Sequence, residues 1–145
     1  TKGNGVINRI FHSFGSYTGD MEGRRNGALI SIETGKAVAF AIFNLQARGE
    51  MFVTHNDPVY EGMIVGLASK SGDLEINVMK GKKLTNMRTQ GTDENVVLTP
   101  VRQMAIAEQL SMLNTDEALE ITPKSCRLRK AILNPHDRKR QSKAS

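Results

Sequence analysis

The sequence predicts an α+β fold: a β-rich domain with one buried helix, a second flanking helix, a long basic loop and a basic C-terminal helix or tail. Three observations predict it. Leu74, Ile76 and Val78 alternate with Glu75, Asn77 and Met79, the period of a half-buried strand, and Cys126 and Leu128 alternate with Arg127 and Arg129 in the same way. Val38, Ala41, Ile42 and Leu45 recur at i, i+3, i+4 and i+7, the stripe of an amphipathic helix. Between these patterns, residues 80–94 (KGKKLTNMRTQGTDE) show neither period. The 145 residues suffice for one ordinary domain with a modest core, expected over residues 28–133.

The elements follow in order. TKGNG is a glycine-rich entry, and the first residue, Thr1 rather than Met, suggests a fragment or a processed product. Val6, Ile7, Ile10, Phe11 and Phe14 suit either a strand or a short helix, and periodicity does not choose between them. His12 is an isolated surface or edge residue. GRRNG (residues 23–27) is a turn with Asn26-Gly27 suited to positive φ; Arg24 and Arg25 fit either a phosphate contact or a plain domain junction. Ala28–Ile32 is a short strand. Thr34 is the candidate cap of a helix from about Lys36 to Arg48, with Gly49 at its C-terminus and Phe40 and Phe43 widening a heavily buried apolar face.

Met51–Val53 is a strand and His55-Asn56-Asp57-Pro58 a turn. One histidine with Asp57 and Glu61, and no second His or Cys nearby, is too thin a set for a metal. Met63–Ala68 reads as a buried strand or bulge at Gly66, and Ser71-Gly72-Asp73 turns the chain back into the strand at Leu74. Val96–Leu98 is a short strand ending at Pro100. Met104, Ala107, Leu110 and Met112–Leu113 have helical spacing to about Asn114. Leu119–Ile121 is a strand, Thr122-Pro123 a break and Ser125–Arg129 the last strand, with Cys126 a small buried apolar residue. Asn134 can cap a final helix with Pro135 at its first position. That helix, to about Lys143 and including a solvated His136, is almost entirely polar. It is expected to be frayed, disordered or ordered by a polyanion.

Charge is unevenly placed. The net charge is +5; residues 80–93 carry +3 and residues 124–143 carry +7, which leaves the remainder at −5. A basic loop and a basic tail on an acidic body argue for a polyanionic partner at a defined surface, against the plainer reading of a solubilising tail. About fifteen residues is long for a connection inside a domain. The ammonium groups of Lys80, Lys82 and Lys83, the guanidinium of Arg88 and the neutral hydrogen-bonding Thr85 and Asn86 suit phosphate; the plainer reading is a solvated surface loop. Cys126 is the only cysteine, so no internal disulfide forms, which fits a reducing cytosol. The longest apolar run, Ala37–Phe43, is far short of the roughly 20 residues that span a bilayer, so no membrane partner is expected.

GKKLTNMR (Gly81 to Arg88) followed by GTDE (Gly91 to Glu94) resembles the C-terminal domain of the BipA/TypA family of translational GTPases. GRRNGALISIETGK (Gly23 to Lys36), AVAFAIFNLQARG (Ala37 to Gly49), VYEGMIVG (Val59 to Gly66) and ITPKSCRLRK (Ile121 to Lys130) agree, so the likeness spans nearly the whole chain. The family pattern usually has a second proline after Pro100 and a threonine where Ala105 stands. Here Val101 and Ala105 occupy those places, so the second helix starts without a capping hydroxyl, a difference of order 1 kcal/mol.

The resemblance implies a division at about residue 26. Residues 1–26 would be the last strand of a preceding domain, similar to the fifth domain of elongation factor G, plus a junction. Residues 27–145 would be the family's own RNA- and ribosome-binding domain, with its basic tail from about residue 134. It implies a cytoplasmic, ribosome-associated module serving translation and ribosome assembly under stress. Its implied partners are the 70S ribosome near the A site, the acceptor end of tRNA and ribosomal RNA. Carried onto this sequence, Lys80, Lys82, Lys83 and Arg88 would contact phosphates, Thr85 and Asn86 would hydrogen-bond to phosphate, sugar or base, and Arg127, Arg129 and Lys130 would add a second basic surface. The alternative is a protein-protein interaction module, with a homodimer formed through the orphan strand near residues 6–14, since an unpaired strand seeks another chain.

No enzyme is expected in this segment. The Gly35-Lys36 and Gly81-Lys82 pairs lack the earlier glycine and following hydroxyl of a phosphate loop. There is no nucleophile elbow, no H-E-x-x-H and no paired-cysteine motif. The resemblance places GTP hydrolysis, with GTP and Mg, in an N-terminal domain outside this chain, and implies no cofactor or metal here.

Overall fold

The computed structural model describes residues 5–6, 8–17, 24, 26–81 and 97–144. Its centre is β1 (Ala28–Ser31), every residue of which is buried. It lies in a four-stranded sheet with β3 (Gly49–Met51), β5 (Ile64–Ala68) and β6 (Leu74–Ile76), in the order β3-β5-β1-β6. β1 is antiparallel to β5 and parallel to β6. The register shifts between Leu29, opposite Gly66, and Ile30, opposite Ile64, so the glycine predicted as a bulge marker does sit at an irregularity. Two short ladders flank the sheet: β2 (Gly35–Lys36) with β4 (Pro58–Val59), and the hairpin of β7 (Glu117–Ile121) with β8 (Cys126–Lys130).

Both faces of the sheet are covered, which is why Ala28–Ile30 of β1 and all of β5 are apolar rather than alternating. One face carries Leu29, Val65 and Ile76, packed with Ile42, Val53, Val59 and Val78. The other carries Ala28, Ile30 and Ile64 against Leu128 of β8, with Met104, Leu113 and Leu119 around it. The hairpin is tied down by backbone bonds as well: Lys130 N donates to Gly62 O, and Met63 bridges Arg129.

Among the described residues, three helices complete the fold: α1 (Ala39–Gln46), α2 (Ile106–Ser111) and α3 (Pro135–Ala144). α1 is shorter and less enclosed than its pattern predicts. Only Ala41 and Ile42 are buried, and Phe43 is 49% exposed, so Phe43 is surface rather than core. Thr34 does not cap it; Thr34 Oγ1 accepts instead from Glu61 N, and the N-cap is Val38 with no side-chain bond. Gly49 opens β3 instead of ending the helix. α2 starts at an uncapped Ala105, as the missing hydroxyl predicts.

Further differences are local. Gly27 is not at positive φ; it is there because a Cβ would meet the Gly72 carbonyl oxygen at 1.7 Å, and the left-handed residue of that contact is Gly72 at φ 92°. Asn56 takes φ 67° in the predicted turn, where Asp57 Oδ2 accepts from Thr54 N. Val97 and Leu98 are not in a strand, and Val96 lies outside the described residues. Residues 8–17 have no regular structure, and Val6, Ile10, Phe11, Phe14 and Tyr17 are all at least 75% exposed.

Candidate nucleic-acid interface

The basic residues expected to meet a partner point to three places among the described residues. The first flanks α1. Lys80 and Gly81 are exposed and line a groove with Phe40, Asn44 and Asn77. Beyond residue 96 the chain returns to the other end of the same helix, where Gln46 Nε2 donates to Thr99 O and Thr99 N donates to Gln46 Oε1. Phe40 to Gln46 spans six residues, roughly 9 Å of helix rise. Lys80–Gly81 and Thr99 therefore stand at opposite ends of one short helix. Lys82, Lys83, Thr85, Asn86 and Arg88 lie outside the described residues.

The second group is the outer face of the β7–β8 hairpin. Glu120 faces Arg127 across the ladder at 3.8 Å, a loose pair, and Tyr60 Oη donates to Glu120 Oε2 at 2.6 Å. Burial, that hydrogen bond and the Glu120 charge push the Tyr60 hydroxyl up to about 12, against the opposing charges of Arg129 and Arg127. Arg129 Nη1 donates to the carbonyls of Lys130 and Ala131. Lys124 is exposed in the connecting turn, which Thr122 and Ser125 close through their side chains and backbone.

Lys130 does not belong to this face. Its side chain is 2% exposed, and its Nζ lies 2.6 Å from Asp73 Oδ2, 2.7 Å from Asp116 Oδ2 and 3.0 Å from Glu117 Oε1. Strand alternation is the reason: Lys130 shares the inward side of β8 with Leu128, while Arg127 and Arg129 take the other. Burial alone would lower the Lys130 ammonium, but the hydrogen bonds of Asp116, Asp73 and Glu117 outweigh it and hold it above the usual lysine range. Arg24 completes the cluster with a two-pronged pair to Glu117, at 2.7 Å and 3.2 Å. Arg24 is thus committed to Glu117, with its side chain 6% exposed, and Arg25 lies outside the described residues. The sequence reading missed this network, although the parity of β8 already signals it.

The third group is α3. Asn134 Oδ1 accepts from His136 N at 2.8 Å, the predicted cap. Arg138 and Lys139 both reach Glu75 on β6, at 3.1 Å and 3.2 Å. The helix is therefore held by a carboxylate of its own domain, not frayed. Arg140 remains 85% exposed in its side chain. Cys126 is half-buried beside Phe52, Met63 and Met104. Among the described residues, no group of three or more His, Cys, Asp or Glu side chains is placed to hold a metal, and no helix is long and apolar enough to cross a membrane.

Comparison with known proteins agrees with the sequence resemblance. Residues 26–135 match the family model of the TypA/BipA C-terminal domain. The chain is 49% identical over 144 residues to the large ribosomal subunit assembly factor BipA of Buchnera aphidicola subsp. Schizaphis graminum, covering 99% of this chain and 24% of that protein. It is 47% identical over 145 residues to the factor of the same name from Escherichia coli K12, and 46% identical over 144 residues to that of Salmonella typhimurium LT2, with the same coverage. The chain thus spans about a quarter of the length of these relatives. With a family domain matched across most of its length and relatives nearly half identical, the chain belongs to the BipA/TypA family, and residues 26–135 are the family's C-terminal domain.

Proposed function

We propose that this chain is the RNA-contacting module of a ribosome-associated translational GTPase, and that it positions rather than catalyses. The observation that carries this reading is the sorting of charge on β8. Lys130 is neutralised inside the domain, whereas Arg127 and Arg129 stand on the outer face of the hairpin with Lys124 beside them. Guanidinium groups on a paired strand suit phosphate recognition, and the relatives' description as large ribosomal subunit assembly factors supplies a phosphate-rich target. In this reading Lys80, Lys82, Lys83 and Arg88 contact phosphates from the loop, and Thr85 and Asn86 add neutral hydrogen bonds. The partners are ribosomal RNA and the acceptor end of tRNA near the A site of the 70S ribosome, in the cytoplasm. GTP and Mg belong to a part of the protein outside this chain, and ribosome assembly under stress is the process served.

The test is binding of this chain to deacylated tRNA and to 70S ribosomes across a salt series, beside the triple variant Lys82→Ala, Lys83→Ala, Arg88→Ala. Three lost phosphate contacts lower the salt slope by roughly 2, at about 0.7–0.9 per contact. An unchanged slope refutes the loop assignment.

A second reading is favoured by one observation, the exposed Val6, Ile10, Phe11, Phe14 and Tyr17. So much apolar surface on one segment suits a protein contact, either with a preceding domain or with a second copy. Sedimentation decides it: a concentration-dependent dimer without RNA affinity favours this reading over the first.

A further inference from the structure

The groove beside α1 combines four groups that recognition of one unstacked nucleotide requires. It has a volume of about 350 Å³ and is lined by Phe40, Ala41, Asn44, Asn77, Lys80 and Gly81. Phe40 and Asn44 are one helical turn apart and share a face of α1. Asn44 Nδ2 donates to Phe40 O, which leaves Asn44 Oδ1 as the acceptor of that side chain. Asn77 Oδ1 accepts from Met79 N, which leaves Asn77 Nδ2 as the donor. Asn77 thus supplies an amide of the complementary kind to the same groove, and Lys80 supplies an exposed cation. An aromatic ring, one acceptor, one donor and one ammonium match a base face, a base edge and a phosphate.

We propose that this groove binds a single unpaired nucleotide of RNA, with the base against Phe40, its edge between Asn44 and Asn77, and its phosphate at Lys80. The inference rests on the RNA-binding reading and adds to it a site for base rather than backbone. Arginines on β8 recognise any phosphate chain, duplex or single-stranded. A ring flanked by two amides discriminates, because a stacked, paired base shows it neither a free face nor a free Watson–Crick edge. The groove therefore makes the module prefer RNA with an unpaired nucleotide.

The test uses this chain and three probes: a short single-stranded RNA of about a dozen nucleotides, the same strand in a duplex, and the same strand with abasic positions. Phe40→Leu removes the ring but keeps an apolar side chain. Asn77→Ser removes the amide donor but keeps an oxygen for Met79 N. The expected result is tighter binding of the single strand than of the duplex, and a loss of about 5- to 150-fold on removing the bases. Phe40→Leu is expected to lose affinity for the intact strand but not for the abasic one, a pattern that misfolding does not produce. Asn77→Ser weakens the intact strand in the same selective way. If the wild-type chain binds all three probes within twofold of one another, the groove proposal is overturned while the phosphate reading stands. If the wild-type chain binds no RNA at any salt, both fall.

Discussion

Lys130 Nζ and Glu117 Oε1 lie 3.0 Å apart, with the lysine side chain 2% exposed and the glutamate side chain fully buried. They come from β8 and β7, paired directly in the hairpin register. Glu117 is also held by Arg24, and Lys130 also by Asp73, which accepts from Ala28 N at the start of β1. One ionic cluster therefore joins the entry to the domain, the central sheet and the hairpin whose outer face carries Arg127 and Arg129. The inward half of β8 thus fixes the orientation of the hairpin and of its outward arginines.

Removing one member of such a cluster leaves a buried charge short of its partner, which typically costs about 3–5 kcal/mol. Lys130→Ala is expected to destabilise the domain by about that amount in urea, whereas Lys139→Ala, at an exposed pair, is expected to change it by less than about 1 kcal/mol. Equal effects of the two substitutions would remove the network from the account of stability.

The pH dependence follows from the same groups. Burial alone would raise the Asp73 carboxyl, but the Ala28 amide and Lys130 hold it below the usual range; Glu75 is lowered likewise, against burial, by Lys139 and Arg138. A depressed carboxylate stabilises the fold above its unfolded pKa and loses that contribution as pH falls through the folded value. Lys130 is raised and Tyr60 is raised to about 12, so their contributions are full below their unfolded values and fade as pH rises through the folded ones. Stability should be flat near neutrality and fall below about pH 4 and above about pH 10. In a Tyr17→Phe background, absorbance of tyrosinate should report Tyr60 near 12, and Glu120→Gln should bring it down. A Tyr60 titration unmoved by Glu120→Gln would exclude that pairing.

α3 offers a separable test. Its docking runs through Glu75, which takes both Arg138 and Lys139. Glu75→Ala should lower amide protection across residues 135–144 several-fold while changing global stability by less than about 1 kcal/mol, since partly exposed pairs are weak. Unchanged exchange would mean that other contacts of the helix hold it.

Periodicity made most of this legible. The alternation at Cys126–Arg129, the continuous run ending at Ala68 and the Asn134-Pro135 start of α3 stand where the pattern puts them, while the strand expected through Val78 ends at Ile76, with Val78 buried in the turn that follows. What was not legible depends on contacts between distant segments. The apolar count around Phe40 and Phe43 cannot say that α1 buries Ala41 and Ile42, with Leu45 partly buried against the same core, and leaves Phe43 exposed. A polar α3 has no face to bury, so its order rests on Glu75, some sixty residues earlier. For Lys130, composition pointed outward with its basic neighbours, and the strand parity that points inward was the stronger signal.

Salt dependence separates the two faces of β8. Arg127→Ala with Arg129→Ala should lower the slope of log affinity against log salt for tRNA by about 1.5, at roughly 0.7–0.9 for each phosphate lost. The fold should hardly notice, because Arg127 makes only a 3.8 Å pair with Glu120 and Arg129 bonds to neighbouring backbone carbonyls. Lys130→Met should do the reverse: a large loss of stability, with an unchanged slope under conditions where the variant remains folded. The comparison is decisive because the residues are adjacent on one strand and differ in the side of it they occupy. If Lys130→Met lowers the slope as much as the arginine pair does, the inward lysine is not spent on its carboxylates, and the division of β8 into a structural and a recognition face is wrong.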